Sequence, residues 1–219
     1  MEPKPEKQYQ TRTKLTNRLF TYVRKNGFQN LKMDEISKIM GVSRATLYKY
    51  FSTKEDVITF LVTALITYIY EIIEETDSDQ LFVQRFQQTF EQNILLKEFI
   101  TDIFLTDLQN SYPEAYERLK KAMKQREDQE LAFYKEGIKS GVFHQIEGRL
   151  IVMQDELLRN VLDVKYLMEN QLTVYQVLFD YYNLKKIQLF KPDKLNMIED
   201  DLMIPKLEYM AQKISKNLY

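Results

Sequence analysis

The stretch Met33–Lys54, MDEISKIMGVSRATLYKYFSTK, decides how the rest of the chain is read. Ile36, Ile39 and Met40 recur at helical spacing, and Gly41 follows where the helix must stop in a conformation of positive φ that glycine adopts without steric cost. Val42 plugs the turn. Ser43 carries a side chain suited to capping a second helix, whose buried face is Leu47 and Phe51. The spacing therefore predicts a helix-turn-helix with its second helix opening at about Arg44. That helix offers Arg44, Ala45, Thr46, Tyr48, Lys49 and Tyr50, a forked donor, small residues, hydroxyls and cations suited to a major groove.

Charge points the same way. Residues 1–54 hold 12 Lys and Arg against 4 Asp and Glu, whereas the remainder holds 19 against 28. A whole-chain charge of −1 thus hides a basic head on an acidic body, the distribution expected of a module that neutralises phosphates.

At these residues the chain resembles the TetR family of bacterial transcriptional regulators. The similarity runs from about Arg12 to Leu61, with GVSRATLYKYFSTKE as its most specific part and STKEDV opening a long fourth helix. Lys32 stands where that family usually has a Thr or Ser capping the second helix, and Tyr50 stands where His is common. The resemblance implies an amino-terminal DNA-binding domain and a helical body that dimerises and binds an effector. The expected DNA-binding residues are Lys32, Ser43, Arg44, Ala45, Thr46, Tyr48, Lys49, Tyr50 and Lys54. Of these, Arg44, Thr46, Tyr48 and Lys49 are assigned to the operator, Ala45 to a thymine methyl, and Lys32, Tyr50, Lys54 and part of Tyr48 to phosphates.

Composition fits an all-α chain: a helix-turn-helix domain over 1–53 and a larger helical effector-binding and dimerisation domain over 54–219. Only five Gly and five Pro leave little room for the turns of a sheet protein. The uncharged run from Val57 to Tyr70 is shorter than the roughly 20 apolar residues of a bilayer span, so no membrane partner is expected. MEPKPEKQYQ has no apolar core like that of a signal peptide and reads as a short flexible arm. With no cysteine in the chain, a cytoplasmic location is expected. Helices are predicted over about 54–75, 80–93, 95–109, 113–140, 145–170, 173–189 and 192–217, with TDSD (Thr76–Asp79) capping the second of these and Pro205 interrupting the last.

A helix-turn-helix dimer must hold two heads about one helical turn of DNA apart, so the body is expected to self-associate. The apolar arc Leu150, Leu157, Leu158, Val161, Val174, Leu178 and Tyr181 is the candidate dimer interface, which the family resemblance also implies. The aromatic residues Phe86, Phe90, Phe99, Phe104, Tyr116, Phe133, Tyr134, Tyr166 and Tyr175 are the candidates for lining an effector pocket. Core packing explains them equally well. His144 stands alone, without a Cys or second His, so no metal site and no catalytic arrangement is expected, and no cofactor motif occurs. The leading reading is a repressor of double-stranded operator DNA released by a small, largely apolar effector. The alternatives are a DNA-binding protein whose body docks a protein partner, and a helical interaction protein with no role on DNA.

Overall fold

In the computed structural model residues 5–72 and 78–218 are described. Among them are eleven α-helices: α1 (Pro5–Asn26), α2 (Met33–Met40), α3 (Arg44–Tyr48), α4 (Lys54–Tyr70), α5 (Asp79–Phe99), α6 (Asp102–Ser111), α7 (Pro113–Lys139), α8 (Gly148–Val161), α9 (Val164–Glu169), α10 (Val174–Leu189) and α11 (Ile204–Leu218). No strand occurs in the described residues. A single antiparallel bridge joins Phe143 to Phe190.

Several boundaries correct the sequence reading. The stretch read as an arm is helical from Pro5, since proline is pre-set for a first helical turn and gives up an N–H that would be unbonded there. The expected break near Leu95 is absent, because nothing between Asn93 and Phe99 opposes helix. The chain breaks instead at Thr101, whose hydroxyl accepts from Phe104 N–H and caps α6. The expected helix 145–170 divides at Asp163, which caps α9 through Tyr166 N–H at 3.1 Å. Pro205 falls in the first turn of α11 and so starts that helix, while Pro192–Met197 and Asp200–Leu202 form 3₁₀ turns. Of the TDSD cap, Thr76 and Asp77 lie outside the described residues, as does the expected end of the fourth helix at Glu75.

Packing groups the chain into two units: Met1–Glu71 with Phe99–Lys124, and Ile72–Glu98 with Gln125–Tyr219. The unit holding the helix-turn-helix is thus larger than 1–53, taking in α4, α6 and the opening of α7. Its core is a stack of fully buried apolar side chains, among them Leu19, Val23, Ile36, Met40, Leu47, Phe51 and Val57. Within it Phe28 meets Phe104 at 5.7 Å and Tyr112 at 6.1 Å between ring centres. Asp107 of α6 accepts from the N–H groups of Phe28 and Gln29 at 2.5 and 2.9 Å, bracing the turn between α1 and α2. Gly27 at φ +71° makes that turn possible.

The second unit is built on aromatic rings. Phe82, Phe86 and Phe90 form the predicted stripe on α5 and are buried against Phe133, Phe143, Phe190 and Tyr182, with the Phe143 and Phe190 centres 4.9 Å apart. Beside them lies a buried charged network. Asp155 of α8 accepts from Lys185 at 2.5 Å, from Tyr181 at 2.6 Å and from Asn93 at 2.7 Å. Glu130 of α7 accepts from Asn93 and Arg126 at 3.0 Å each and from the Tyr134 hydroxyl at 2.5 Å. Two cations thus face two carboxylates out of water, an arrangement held only because nearly every polar atom is paired.

Candidate nucleic-acid interface

Two caps and a glycine shape the helix-turn-helix. Gly41 takes φ 70°, ψ 37°, and its N–H together with that of Val42 returns to carbonyls of α2 at 3.0 Å each. The Arg18 guanidinium donates to Met40 C=O at 2.9 Å, closing another carbonyl at that helix end. Ser43 then accepts from Thr46 N–H at 3.1 Å, and its hydroxyl pairs with that of Thr46 at 2.8 Å. Leu47 and Phe51 are fully buried, which fixes the rotation of α3 about its axis. The opposite face consequently points outward, leaving Arg44, Ala45, Tyr48 and Lys49 exposed and Thr46 and Tyr50 half-buried.

Arg44 is oriented as well as exposed. Its Nε lies 3.0 Å from Asp34 Oδ1 and its Nη1 3.4 Å from Oδ2, and its guanidinium carbon stands 5.8 Å from the Tyr48 ring centre. Lys49 ends the short helix α3 as its C-cap, so Tyr50 lies just beyond the helix.

The two outlying lysines differ. Lys32 occupies the N-cap of α2 and its ammonium can accept nothing, so the capping role is filled from the other direction: Glu35 takes the Lys32 N–H at 2.8 Å. The exposed Lys32 side chain is left to reach solvent. Lys54, by contrast, is half-buried and donates to Gln29 C=O at 2.7 Å beside the Phe28 ring. Burial lowers its pKa, with the Asp107 and Glu35 carboxylates opposing that shift. It is a structural tie in this structure rather than a side chain held out toward phosphates.

Sequence reasoning missed Arg18 and Asp34, which seal and orient the surface from other helices, and Arg12, whose guanidinium pairs with Asp56 at 2.5 Å and lies 4.5 Å from the centres of Phe51 and Phe60. The acidic Asp34 ten residues before Arg44 was the one signal available.

The candidate effector residues fall in both units. Phe99, Phe104 and Tyr116 belong to the unit of the head, while Phe86, Phe90, Phe133, Tyr134, Tyr166 and Tyr175 belong to the other. Phe104 packs on Phe20 and Phe28, Phe86 and Phe90 on Tyr182, and Tyr175 stacks on Phe179. Tyr166 is 42% exposed.

The candidate dimer residues separate into two groups. Leu158, Val174 and Leu178 are buried within the chain itself and have little surface to give to a second copy, because α8 and α10 pack their inner faces on the core. Leu150 and Leu157 are 56% and 61% exposed, and Met153, Leu184 and Ile187, which the sequence reading did not name, extend the same apolar stripes along α8 and α10. Between these helices runs an apolar groove of about 590 Å³ lined by residues including Leu157, Leu158, Val161, Tyr181 and Leu184.

Among the described residues no group of His, Cys, Asp and Glu is placed to hold a metal ion, and no helix is long and apolar enough to cross a membrane.

Residues 21–59 match the family model described as bacterial regulatory proteins, tetR family. No curated protein sequence matches the chain. In fold the chain is similar to the ketosteroid transcriptional regulator KstR2 of Mycobacterium tuberculosis, at 17% identity and a TM-score of 0.55 over 83% of this chain and 95% of that one. It is likewise similar to a structure from Saccharomonospora viridis described as a transcriptional regulator in complex with choline (14% identity, TM-score 0.56, 83% and 98% covered). A third similar structure is AibR in complex with isovaleryl coenzyme A and operator DNA (14% identity, TM-score 0.53, 81% and 97% covered).

Proposed function

We infer, from a head whose residues 21–59 match the family model of bacterial tetR-type regulators, that this chain is an operator-binding transcriptional repressor, active as a homodimer in the cytoplasm and released from DNA by a small, largely apolar effector. The observation that carries the DNA-binding part is the outward face of α3, where a glycine turn and a serine cap present Arg44, Ala45, Tyr48 and Lys49 on a strongly basic head. Arg44 has the fork to read guanine, Ala45 the size to admit a thymine methyl, and Thr46, Tyr48, Lys49 and Lys32 the groups to hold base edges and phosphates. No catalytic step is assigned to any residue.

Self-association is supported by the exposed stripes of α8 and α10. An apolar face of this kind on a solvent surface commonly marks an interface, and two-fold pairing gives the two heads a fixed spacing. Effector release is carried over from structures of like fold that were solved with choline or isovaleryl coenzyme A.

The full chain is tested by selection from a random-sequence duplex pool. The expected product is a pseudo-palindrome with half-sites about 10 base pairs apart, and Arg44→Ala relaxes one or two positions at a cost of about 1 to 3 kcal/mol each. A pool that emerges unenriched overturns the DNA-binding reading. Leu157→Glu places a charge on the outer face of α8 without touching the core, and in sedimentation it yields monomers that bind the selected duplex more weakly by several kcal/mol. A Leu157→Glu protein that stays dimeric removes this interface.

A further inference from the structure

We propose that Asp34 is a specificity-determining residue of the DNA-reading surface, acting by holding the Arg44 guanidinium in one orientation. The proposal rests on the DNA-binding reading above and adds to it a residue from α2, outside the reading helix.

The geometry is specific. Asp34 lies in the first turn of α2 and Arg44 in the first turn of α3, and the two side chains meet across the Gly41 turn through two contacts, 3.0 and 3.4 Å. Both are well exposed, so the pair is not there to fill the core. The Tyr48 ring centre stands 5.8 Å from the guanidinium carbon. The neighbouring carboxylate, Glu35, is occupied with the Lys32 N–H and does not compete. Asp34 thus places a negative charge on the face of a basic head, where it opposes phosphate; its position in the first turn of α2 suits the helix dipole, and its effect on DNA runs through the residue it holds.

Its effect differs between the two ways DNA can be bound. Guanidinium carries five N–H groups, and the carboxylate engages two of its three nitrogens, leaving N–H groups free in a defined direction. Guanine offers a pair of acceptors to such a fork, so a base contact is helped by the fixed direction. Phosphate attracts a cation by charge alone and can be reached from many rotamers, so non-specific binding is hindered by the neutralising partner and by the loss of freedom. Asp34 accordingly widens the gap between preferred and arbitrary sequence, chiefly by weakening the arbitrary.

The test compares Asp34→Asn with the wild-type full chain on two duplexes, one selected by the wild type from a random pool and one of mixed sequence. Affinity for the mixed duplex is expected to rise, and its log K against log salt slope to steepen by about 0.9. The ratio of the two affinities is expected to fall about two- to fivefold, the range of an exposed ion pair. Repeating the selection with Asp34→Asn relaxes the same one or two positions that Arg44→Ala relaxes, and in an Arg44→Ala background Asp34→Asn leaves the ratio unchanged. An equal rise on both duplexes, relaxation at other positions, or a change of ratio without Arg44 overturns the proposal. Failure of the wild type to select any sequence overturns the DNA-binding reading itself and is recognised before the variant is made.

Discussion

The reading motif of the head and the buried network of the body are set by bonds of different range. In the head the starts of α2, α3 and α4 are capped locally, by Lys32 with Glu35, Ser43 with Thr46 and Thr53 with Asp56, each three residues apart. In the body the deciding polar contacts link residues 26, 34, 37 and 62 positions apart: Tyr181 to Asp155, Lys185 to Ile151, Asn93 to Glu130 and Asn93 to Asp155. Charge is also placed oppositely, since the pair of Arg44 and Asp34 faces solvent whereas that of Lys185 and Asp155 is buried. The difference teaches where a substitution does its damage. A charge change at the first pair is expected to act at the solvent surface, and one at the second to act on folding.

The sharpest way to break this comparison is to remove one acid from each region. Asp155→Ala leaves the Lys185 ammonium buried without its partner and takes the acceptor from Tyr181 and Asn93, at an expected cost of about 3 to 5 kcal/mol in urea unfolding. Asp34→Ala, at an exposed pair, is expected to cost under about 1 kcal/mol. Equal costs would mean that the body network is wetter than its burial implies. A paired replacement, Asp155→Leu with Lys185→Met, should recover the part of the loss that lies in the unpaired charge, while Tyr181 and Asn93 still lack that acceptor.

Glycines sharpen the same contrast on a smaller scale. Gly137 lies inside α7 in ordinary helical geometry, where alanine would by propensity be stabilising, yet a Cβ there would overlap the Phe143 ring, itself fixed by Phe82, Phe133 and Phe190. Gly137→Ala is therefore expected to destabilise by about 1 to 3 kcal/mol through overpacking. At Gly27 the backbone carries the objection: φ is +71°, and alanine there is expected to cost about 1 to 2 kcal/mol, while its Cβ also displaces the Asp107 carboxylate. Thermal unfolding distinguishes the two, since Gly137→Ser should be as poor as alanine whereas Gly27→Asn, which tolerates positive φ, should recover part of the loss.

The range of these bonds explains what could be read in advance. The Gly41 turn, the Ser43 cap and the exposed face of α3 depend on residues within a few positions of one another, so the string MDEISKIMGVSRATLYKYF was enough to place them. Phe82, Phe86 and Phe90 were legible as a stripe because they share one helix. Lys54 was assigned to phosphate, and its bond to Gln29, 25 residues earlier, could not be seen from spacing. Nor does anything local tell that Phe104 packs on Phe28 while Phe133 packs on Phe82. Leu157 and Leu158 are neighbours in sequence with opposite fates, one outward and one in the core, and only the packed position of α8 separates them.

The smallest expected effect concerns pH, and it reads the body network alone. Burial first, then the charge of Glu130 and the hydrogen bond to it, raise the Tyr134 phenol well above its ordinary pKa, and burial with Asp155 raises Tyr181 in the same direction. The folded chain therefore keeps protons on these phenols that the unfolded chain gives up above about pH 10. Stability from them is fully present below that pH and falls as pH climbs toward the folded values, by about 1.4 kcal/mol per pH unit for a buried phenol that stays protonated. Tyr134→Phe loses the bond to Glu130 and is less stable than wild type at pH 9, but it has one phenol fewer to hold protonated. The gap between the two proteins should narrow as urea midpoints are followed from pH 9 to pH 11. A gap that stays constant would show that Tyr134 ionises as freely in the folded chain as in the unfolded one, and the picture of a sealed network around Glu130 would have to be given up.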